Sequence, residues 1–387
     1  MELIYLDYNA TTPTDPSVVE SMLPYITNQF GNAASTTHDF GKQAKKAVSK
    51  SRRTIAGLIN AKPSEIIFTS GATEAINIAI TGLVLGRQKS KNKIITTTVE
   101  HKAVLDTCKF AENFGVITEY LEPDQSGIVK QLNLEKLIDN NTLLVAVQQV
   151  NNEIGTIQPI REIGRICLEK NIPLFVDAAQ SIGKVSINVK EMGVSLLAGS
   201  SHKIYGPKGV GFLYLDSIVK KQLKPIIHGG GHEKGLRPGT LNVPSIVGFG
   251  KAIDLVIENM DKEVKIIDNL NKSFLSSLDD WKIDYKINGS MSNRVAGNLN
   301  ICFNGVDADW LILHTPDVAI STGSACTSET IEPSHVLKAI GLPNEDSNSS
   351  IRISFGRFTT QKQINKAATL IAKSVKTFLD KKKMVGI

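Results

Sequence analysis

Short apolar segments that end in polar residues recur along the chain, and most are followed by a stretch with helical spacing. Such segments lie at residues 65–69, 93–97, 143–147, 172–177 and 194–198. Runs rich in Val, Ile and Leu are typical of strands that are buried on both faces of a parallel sheet. We therefore expect an α/β fold with a mostly parallel sheet, helices on its faces and a ligand site outside the carboxyl ends of the strands.

Residues 200–209 form the most unusual of these polar strand ends. They place Lys203 after Ser200 and His202 and before a Gly-Pro-Lys-Gly sequence. A second cation nearby lowers the pKa of a lysine and frees its amine to attack a carbonyl, while small hydroxyls and glycines allow a phosphate to approach. These features suggest a lysine that holds pyridoxal phosphate through a Schiff base. The alternative is a surface turn with a solvated lysine.

Two other strand ends carry candidate ligands for a phosphate and a conjugated ring. At residues 70–77 a strand runs through a small-residue turn into a helix, whose first amide groups, at Ala72 and Thr73, favour an anion. A capping box that only starts the helix is an equal alternative. His101 follows the next strand and is suited to stacking on a ring and moving protons, or simply begins a helix.

The next strand ends supply amide and carboxylate groups. Asn152 lies in an Asn-rich segment that suits a carboxylate or phenolate ligand, or a turn. Asp177 ends a very apolar strand, and a buried carboxylate needs a cationic partner such as a protonated pyridine nitrogen. Gln180 follows three residues later and is placed to reach the oxygen of the same ring.

The composition fits a globular enzyme with two domains. The chain has 387 residues, 41% of them hydrophobic and 21% charged, and this length exceeds that of a single compact core. The net charge of +6 comes without the concentrated basic patch that nucleic-acid binding needs. No segment has the apolar length of a membrane span, and the N-terminus lacks a signal-peptide pattern. Four scattered cysteines predict a reduced, cytoplasmic protein.

The pattern of the sequence changes near residue 255. A long helical stretch over residues 246–278 leads into a smaller α+β part with a strand at 298–303. We expect a large domain over residues 15–255, and a small domain formed by residues 1–14 and 256–387.

Two residues of this second part are candidates for chemistry. Cys326 lies in a segment of Ser, Thr, Gly and Ala, at about 321–333, which has few side chains to bury. An exposed thiol in a polar loop is a candidate nucleophile, whereas Cys302 lies in an apolar strand. Arg352 lies in a strand-like alternation and suits a bidentate contact with a carboxylate, or a structural salt bridge.

Three motifs together resemble the cysteine desulfurases of the IscS/NifS-like group, which are class V aminotransferase-like, fold-type I enzymes that use pyridoxal 5′-phosphate. The motifs are S-S-H-K-I-Y-G-P-K-G at 200–209, H-G-G-G-H-E at 228–233 and S-T-G-S-A-C-T-S at 321–328. The resemblance extends over essentially the whole chain. It implies a homodimer that converts L-cysteine to L-alanine and leaves a persulfide on Cys326 for transfer to an acceptor.

The resemblance also implies a role for each candidate residue. Lys203 would hold the cofactor and, with His101, transfer protons, while Cys326 would be the nucleophile. Asn152 and Arg352 would contact the substrate, Arg352 at its carboxylate. Cofactor contacts are implied for Lys203, Ala72, Thr73, His101, Asn152, Asp177, Gln180, Ser200, His202 and Thr240, the last of these at the phosphate of the neighbouring subunit.

The sulfur acceptor stays open at this point. Iron–sulfur assembly, tRNA thiolation and DNA modification all begin with the same persulfide, and residues 237–240 and 333–336 are similar to desulfurases that feed DNA phosphorothioation. No resident metal is expected, and Cys326 would ligate an iron–sulfur cluster only transiently. No membrane partner and no direct nucleic-acid contact are expected. The alternatives are a selenocysteine lyase or another β-lyase on the same fold, and a scaffold protein that has lost its chemistry.

Overall fold

The computed structural model describes residues 3–322 and 333–385. Its strands are β1 Ile4–Tyr5, β2 Ile66–Thr69, β3 Lys93–Thr97, β4 Ile117–Leu121, β5 Thr142–Gln148, β6 Leu174–Asp177, β7 Leu196–Ser200, β8 Gly211–Leu215, β9 Tyr285–Ile287, β10 Asn298–Phe303, β11 Val318–Ala319 and β12 Ser350–Ser354. Its helices are α1 Pro16–Thr27, α2 Asp39–Leu58, α3 Ala72–Gly86, α4 Lys102–Ala111, α5 Gln131–Leu137, α6 Ile160–Glu169, α7 Ser217–Lys220, α8 Val243–Asp280, α9 Ala308–Leu313, α10 His335–Ala339, α11 Asn344–Asn348 and α12 Gln361–Val385. None of the helices in these two ranges has both the length and the apolar composition needed to cross a bilayer.

A central sheet of seven strands, counted within the described residues, has the order β2-β8-β7-β6-β5-β3-β4. Neighbouring strands are parallel except at β8, which runs antiparallel to both β2 and β7. Every residue of β5, β6, β7 and β8 is buried, as expected for strands that are covered on both faces. The predicted fold class, a mostly parallel sheet flanked by helices, is confirmed.

Helices cover both faces of this sheet. One face packs against α1, α2 and α8 through side chains such as Val18, Ile55 and Phe249. The opposite face packs against α3 and α4 through side chains such as Ile76 and Val104. Burial of each of these side chains contributes about 1.5–3 kcal/mol. The two apolar layers therefore hold the strand ends, and the polar residues that follow them, in a fixed arrangement.

The remaining strands lie outside the central sheet. Strands β12, β10 and β9 form an antiparallel sheet in that order, and β1 pairs in parallel with β11. The core of this part joins Leu270 and Phe274 of α8 to Ile364 and Ile371 of α12. The first strand of the chain therefore packs among residues from its C-terminal third.

Helix α8 connects the two parts of the molecule. Its 38 residues span about 57 Å. The N-terminal half contributes to the core of the central sheet, and the C-terminal half packs with α12. The domain boundary expected at 255/256 falls inside this uninterrupted helix, so the division of the chain into those two domains stays a prediction.

Helix α1 begins at Pro16, after an N-cap formed by Asp15. The carboxylate of Asp15 accepts a hydrogen bond from the Ser17 N–H at 3.0 Å, and Pro16 occupies the first helical position, where its missing N–H is not needed. The helix ends at Thr27. This helix packs on α8.

A buried carboxyl group joins the ends of β3 and β5. Oε1 of Glu100 accepts hydrogen bonds from the Thr97 hydroxyl at 2.7 Å and from the Gln148 N–H at 2.9 Å. Burial of this side chain raises the pKa of Glu100 to about 8, and Asp177 raises it further, although the two hydrogen bonds act in the opposite direction. The carboxyl group is therefore largely protonated at neutral pH.

We predict that the stability of the Glu100→Gln variant, relative to that of the parent protein, increases as the pH rises. The folded-state pKa lies above the unfolded value of 4.5, so the folded state holds the extra proton between pH 4.5 and about 8. This group therefore lowers the free energy of unfolding of the parent protein as the pH rises across this window, by up to about 1.4 kcal/mol per pH unit. The glutamine side chain of the variant does not titrate, so it makes no such contribution. The difference in Tm between the two proteins should grow by at least about 2 °C from pH 5 to pH 8.

The matched control is Glu122→Gln, because the exposed Glu122 carboxyl accepts a hydrogen bond from the Thr98 hydroxyl near the same sheet edge. This variant should follow the parent protein across the pH range. A Tm difference between Glu100→Gln and parent that is constant from pH 5 to pH 8 would contradict the buried, protonated state of Glu100.

Candidate active site

A cavity of about 550 Å³ lies at the carboxyl ends of the parallel strands. Its lining contains ten residues that the sequence singled out, namely Ala72, Thr73, His101, Asn152, Asp177, Gln180, Ser200, His202, Lys203 and Arg352. Thr240 is exposed and is not part of this lining. Cys326 lies outside the described residues. The structure thus brings the polar strand ends together, while their chemical roles remain predictions.

Lys203 lies in a single helical turn directly after β7. Its Nζ donates hydrogen bonds to the carbonyl oxygens of Asn9, at 2.5 Å, and Ala10, at 2.7 Å. The N–H and the hydroxyl of Thr12 both donate to the carbonyl oxygen of His202, each at 3.0 Å. The N-terminal segment is therefore bonded to both the backbone and the amine of the lysine turn.

Asp177 is the last residue of β6 and is buried at the cavity wall. Burial raises the pKa of this carboxyl group and is the largest effect. The charges of His101 and Lys203 and a hydrogen bond from the Ala179 N–H, at 2.9 Å, lower it. A carboxylate in this position is stabilised by a positive charge in the cavity.

His101 caps the N-terminus of α4. Its Nδ1 accepts a hydrogen bond from the Ala103 N–H at 3.1 Å, so this nitrogen carries no proton. In the neutral ring the proton is therefore on Nε2. The cap fixes both the tautomer and the orientation of the imidazole.

The N-terminus of α3 forms another wall of the cavity. Gly71 is its N-cap residue, and Ala72 and Thr73 open the first turn, where backbone N–H groups have no partner within the helix. A Cβ atom on Gly211 of β8 would lie 2.7 Å from the Gly71 Cα and 2.5 Å from the Gly199 carbonyl oxygen. Glycine at position 211 therefore lets β8 pack directly against this turn. Amide groups at a helix N-terminus of this kind favour an anion.

His202 contributes a neutral group to the same end of the cavity. Burial, followed by the charges of Lys203 and Lys208, lowers the pKa of His202 to about 4. Its Nδ1 lies 3.1 Å from the Thr11 hydroxyl. Toward an anion, this ring therefore acts at neutral pH through hydrogen bonding and not through charge.

Glu74 is an acidic residue in the first turn of α3. Burial raises the pKa of its carboxyl group, but hydrogen bonds from Arg237, at 2.9 Å, and from the Ser70 N–H outweigh that effect and leave the pKa lowered. The Arg237 ion pair neutralises a carboxylate that would otherwise oppose an anion at the helix N-terminus.

Arg352 of β12 also lines the cavity, and it comes from the three-stranded sheet and not from the central sheet. Its buried guanidinium donates to Asp7 Oδ1 at 2.7 Å and to the carbonyl oxygen of Asn152 at 3.1 Å. The structural salt bridge that the sequence left open as an alternative is therefore present, with Asp7 as its partner. The same contacts bring Arg352 against Asn152 in the cavity wall.

Both flanks of residues 323–332 lie beside the cavity. On one side Ser321 pairs with the backbone of Arg352. On the other side the Ser334 hydroxyl donates to Glu153 at 2.5 Å, and Nε2 of His335 donates to the carbonyl oxygen of Glu100 at 2.9 Å. The described residues on both sides of this stretch therefore contact residues of the cavity wall.

Sequence reasoning assigned no role to three residues at or next to the cavity. Asn9 and His335 line it, and Lys184 contacts Gln180 behind it. Their proximity depends on contacts across more than 170 residues for Asn9 and across 235 for His335, which periodicity does not reveal. For Lys184, the spacing of four residues from Gln180 was the available signal.

Comparison with known proteins shows which family has this architecture. Residues 4–366 match the family described as Aminotransferase class-V. A cysteine desulfurase IscS of Rickettsia bellii is 46% identical over 377 residues, which cover 97% of this chain and 92% of the relative. A solved NifS-like protein superposes with a TM-score of 0.90 at 34% identity, covering 97% of this chain and 100% of the other. A structure of SspA in complex with cysteine gives a TM-score of 0.83 at 38% identity, covering 92% and 100%.

These matches extend over nearly all of the chain and include the strands and turns that form the cavity. The chain therefore belongs to the class-V aminotransferase family and, within it, to the cysteine desulfurases.

Proposed function

We propose that this protein removes the sulfur of L-cysteine with pyridoxal 5′-phosphate as cofactor, forming L-alanine and a persulfide on Cys326. The observation that carries the proposal is the placement of Lys203, Asp177 and the α3 N-terminus around one cavity of about 550 Å³. The relatives named cysteine desulfurase support the reaction, and the SspA structure in complex with cysteine supports the substrate.

The residues of the cavity fit pyridoxal 5′-phosphate. Asp177 is a buried carboxylate that benefits from a cation, and a protonated ring nitrogen is one. The first turn of α3, with Ser200 and His202, offers amide, hydroxyl and imidazole groups for a phosphate. Gln180 offers an amide for the ring oxygen, and Lys203 offers the amine. When bound, the cofactor would withdraw electrons from the substrate Cα, which neighbours the carbon that bears the reacting sulfur.

Proton transfer falls to Lys203 and His101. The Asn9 and Ala10 carbonyl oxygens hold the Lys203 amine at the cavity wall, where it takes and returns a proton at the substrate Cα. The His101 ring, whose orientation is fixed by the Ala103 N–H, supplies a second acid–base group on the same side of the sheet.

Arg352 and Asn152 are the proposed substrate contacts. The planar guanidinium suits the bidentate recognition of a carboxylate, and its ion pair with Asp7 fixes its plane. The Arg352 guanidinium donates to the carbonyl oxygen of Asn152, which holds the two residues side by side in the cavity wall.

Cys326 is the proposed nucleophile. Its thiolate attacks the sulfur of L-cysteine, a sulfur–sulfur bond forms, and the carbon–sulfur bond breaks. The electron pair of the broken bond stays on the substrate carbon, which takes a proton to give alanine. Cys326 is four residues from Thr322, a distance of at most about 14 Å along the chain, and Ser321 already contacts the Arg352 backbone.

The wider setting is proposed on the same basis. We propose a cytoplasmic homodimer in which the exposed Thr240 contacts the phosphate bound by the neighbouring subunit. The persulfide then passes to an acceptor protein of iron–sulfur assembly or of tRNA or DNA thiolation. Each acceptor would take the terminal sulfur from the same Cys326 persulfide.

We predict that Lys203→Ala abolishes the visible absorption of the bound cofactor and lowers alanine formation by at least about 1000-fold. The amine is both the attachment point and the proposed base. Absorption spectra after dialysis, together with alanine assays, measure both effects. The exposed Lys170 serves as a matched control, because Lys170→Ala should keep the parent spectrum and rate. A dialysed Lys203→Ala protein that retains the parent spectrum would contradict the assignment.

We also predict that Cys326→Ala keeps the cofactor absorption but loses persulfide, with sulfide release in the presence of a reducing thiol falling at least about 100-fold. Mass spectrometry after one turnover locates the persulfide. Cys108→Ala is the control: burial raises the pKa of the Cys108 thiol to about 12, so it takes no part. Unchanged sulfide release by Cys326→Ala would point to a β-lyase mechanism instead.

A further inference from the structure

Lys184 lies immediately behind the cavity wall, four residues after Gln180 in the turn that follows β6. Its Nζ donates hydrogen bonds to Gln180 Oε1 at 2.9 Å and to Asn9 Oδ1 at 3.1 Å. Gln180 lines the cavity, whereas Lys184 does not. The two recorded partners of Lys184 are therefore the uncharged amide oxygens of two residues in the cavity wall.

These contacts fix which end of each amide faces the cavity. The protonated Lys184 amine has three donors and no acceptor, so in this state both amides turn their oxygen atoms toward it. The Gln180 Nε2 then donates to the Asn9 carbonyl oxygen at 2.8 Å, and the Asn9 Nδ2 donates to the Asn152 carbonyl oxygen at 3.4 Å. The remaining N–H of Gln180 is the group left to face an oxygen atom in the cavity.

Burial at this location disfavours the charged form of Lys184. Burial above all, and then the charges of Lys203 and Arg352, lowers the pKa of Lys184 to about 7. Across a small cavity of about 40 Å³, the other titratable side chains that line the same space are those of Lys203, Tyr8, Tyr205, Glu263 and Arg357. Arg357 is itself paired with Glu263 at 2.7 Å. A buried amine near Lys203 and Arg352, held by two uncharged amide oxygens, suggests a functional requirement.

We propose that Lys184 is a positioning residue for the cofactor: it holds the Gln180 amide with its NH₂ group toward the ring oxygen of pyridoxal 5′-phosphate. The inference rests on the proposed function, because it assigns the contact that Gln180 makes. Lys184 acts through Gln180 and does not itself touch the cofactor.

Removing the ammonium would leave two amide oxygens without their donor. The Gln180 amide could then rotate and present its oxygen to the ring oxygen, which replaces an attraction with a repulsion. Loss of one such hydrogen bond corresponds to about a tenfold weaker binding of the cofactor. A less stabilised ring oxygen also raises the pH at which the bound cofactor changes its visible absorption.

The test compares Lys184→Met, Lys184→Arg and the surface control Lys170→Met in the purified holoenzyme. The dissociation constant of pyridoxal 5′-phosphate is measured by equilibrium dialysis, and the pH midpoint of the visible absorption is measured by titration. Lys184→Met should weaken cofactor binding about tenfold and raise the midpoint by about 0.5 pH unit or more. Lys184→Arg, which keeps the charge and the donors, should return the midpoint toward the parent value, and Lys170→Met should match the parent.

A double-mutant cycle separates positioning from general stability. In a Gln180→Ala background, adding Lys184→Met should cause little further change in the midpoint, because the residue through which Lys184 acts is gone. An unchanged midpoint in Lys184→Met would overturn the proposal, and so would a full additional shift in the double variant. Weaker binding that follows a lower Tm while the midpoint stays at the parent value would show a merely structural role and would also overturn it.

The parent protein distinguishes this inference from the proposed function. Failure of the parent to bind pyridoxal 5′-phosphate, or to form alanine from L-cysteine, would overturn the proposed function. A parent that does both, alongside a Lys184→Met protein that titrates identically, would overturn only the role of Lys184.

Discussion

The backbone of Asn9 is the point on which the site depends. Its carbonyl oxygen accepts hydrogen bonds from the Lys203 amine and the Gln180 amide, which follow two different strands of the central sheet. Its N–H donates to the hydroxyl of Ser354, the last residue of β12, at 2.9 Å. Asn9 therefore connects the carboxyl ends of the central sheet to β12, which carries Arg352. Together with the hydrogen bond from Arg352 to the Asn152 carbonyl oxygen, it holds the lysine and the arginine at one cavity.

Charge explains the chemistry that this geometry can support. Lys102, Lys203, Lys208 and Arg352 line the cavity together with Glu74, Glu153 and Asp177, and Lys184 lies behind it. The buried Asp177 and the Asp7–Arg352 pair offset only part of this positive charge. A cavity of this kind favours a ligand that brings a phosphate to α3 and a carboxylate to Arg352, together with a cationic group for Asp177. A cofactor phosphate and an amino-acid substrate meet these requirements together.

The sequence predicted the sheet and most of the cavity because the relevant signals are local. Asp177 and His101 each follow an apolar strand, and parallel strands place their carboxyl ends at one edge. Lys184 was not predicted, because its meaning depends on Asn9, 175 residues away in the chain. The salt bridge of Arg352 was left open for the same reason, since its partner Asp7 is 345 residues away. Helix α8 shows a related limit: the sequence pattern placed a domain boundary at 255/256, but this position lies within one continuous helix.

The most direct measurement is the visible spectrum of the purified protein before and after addition of L-cysteine, with alanine and sulfide assayed in the same tube under a reducing thiol. The account predicts a visible cofactor band that changes on addition of L-cysteine, with alanine and sulfide formed in equal amounts. A protein without such a band, after incubation with pyridoxal 5′-phosphate, would contradict the account. So would a cofactor-bound protein that leaves L-cysteine unchanged.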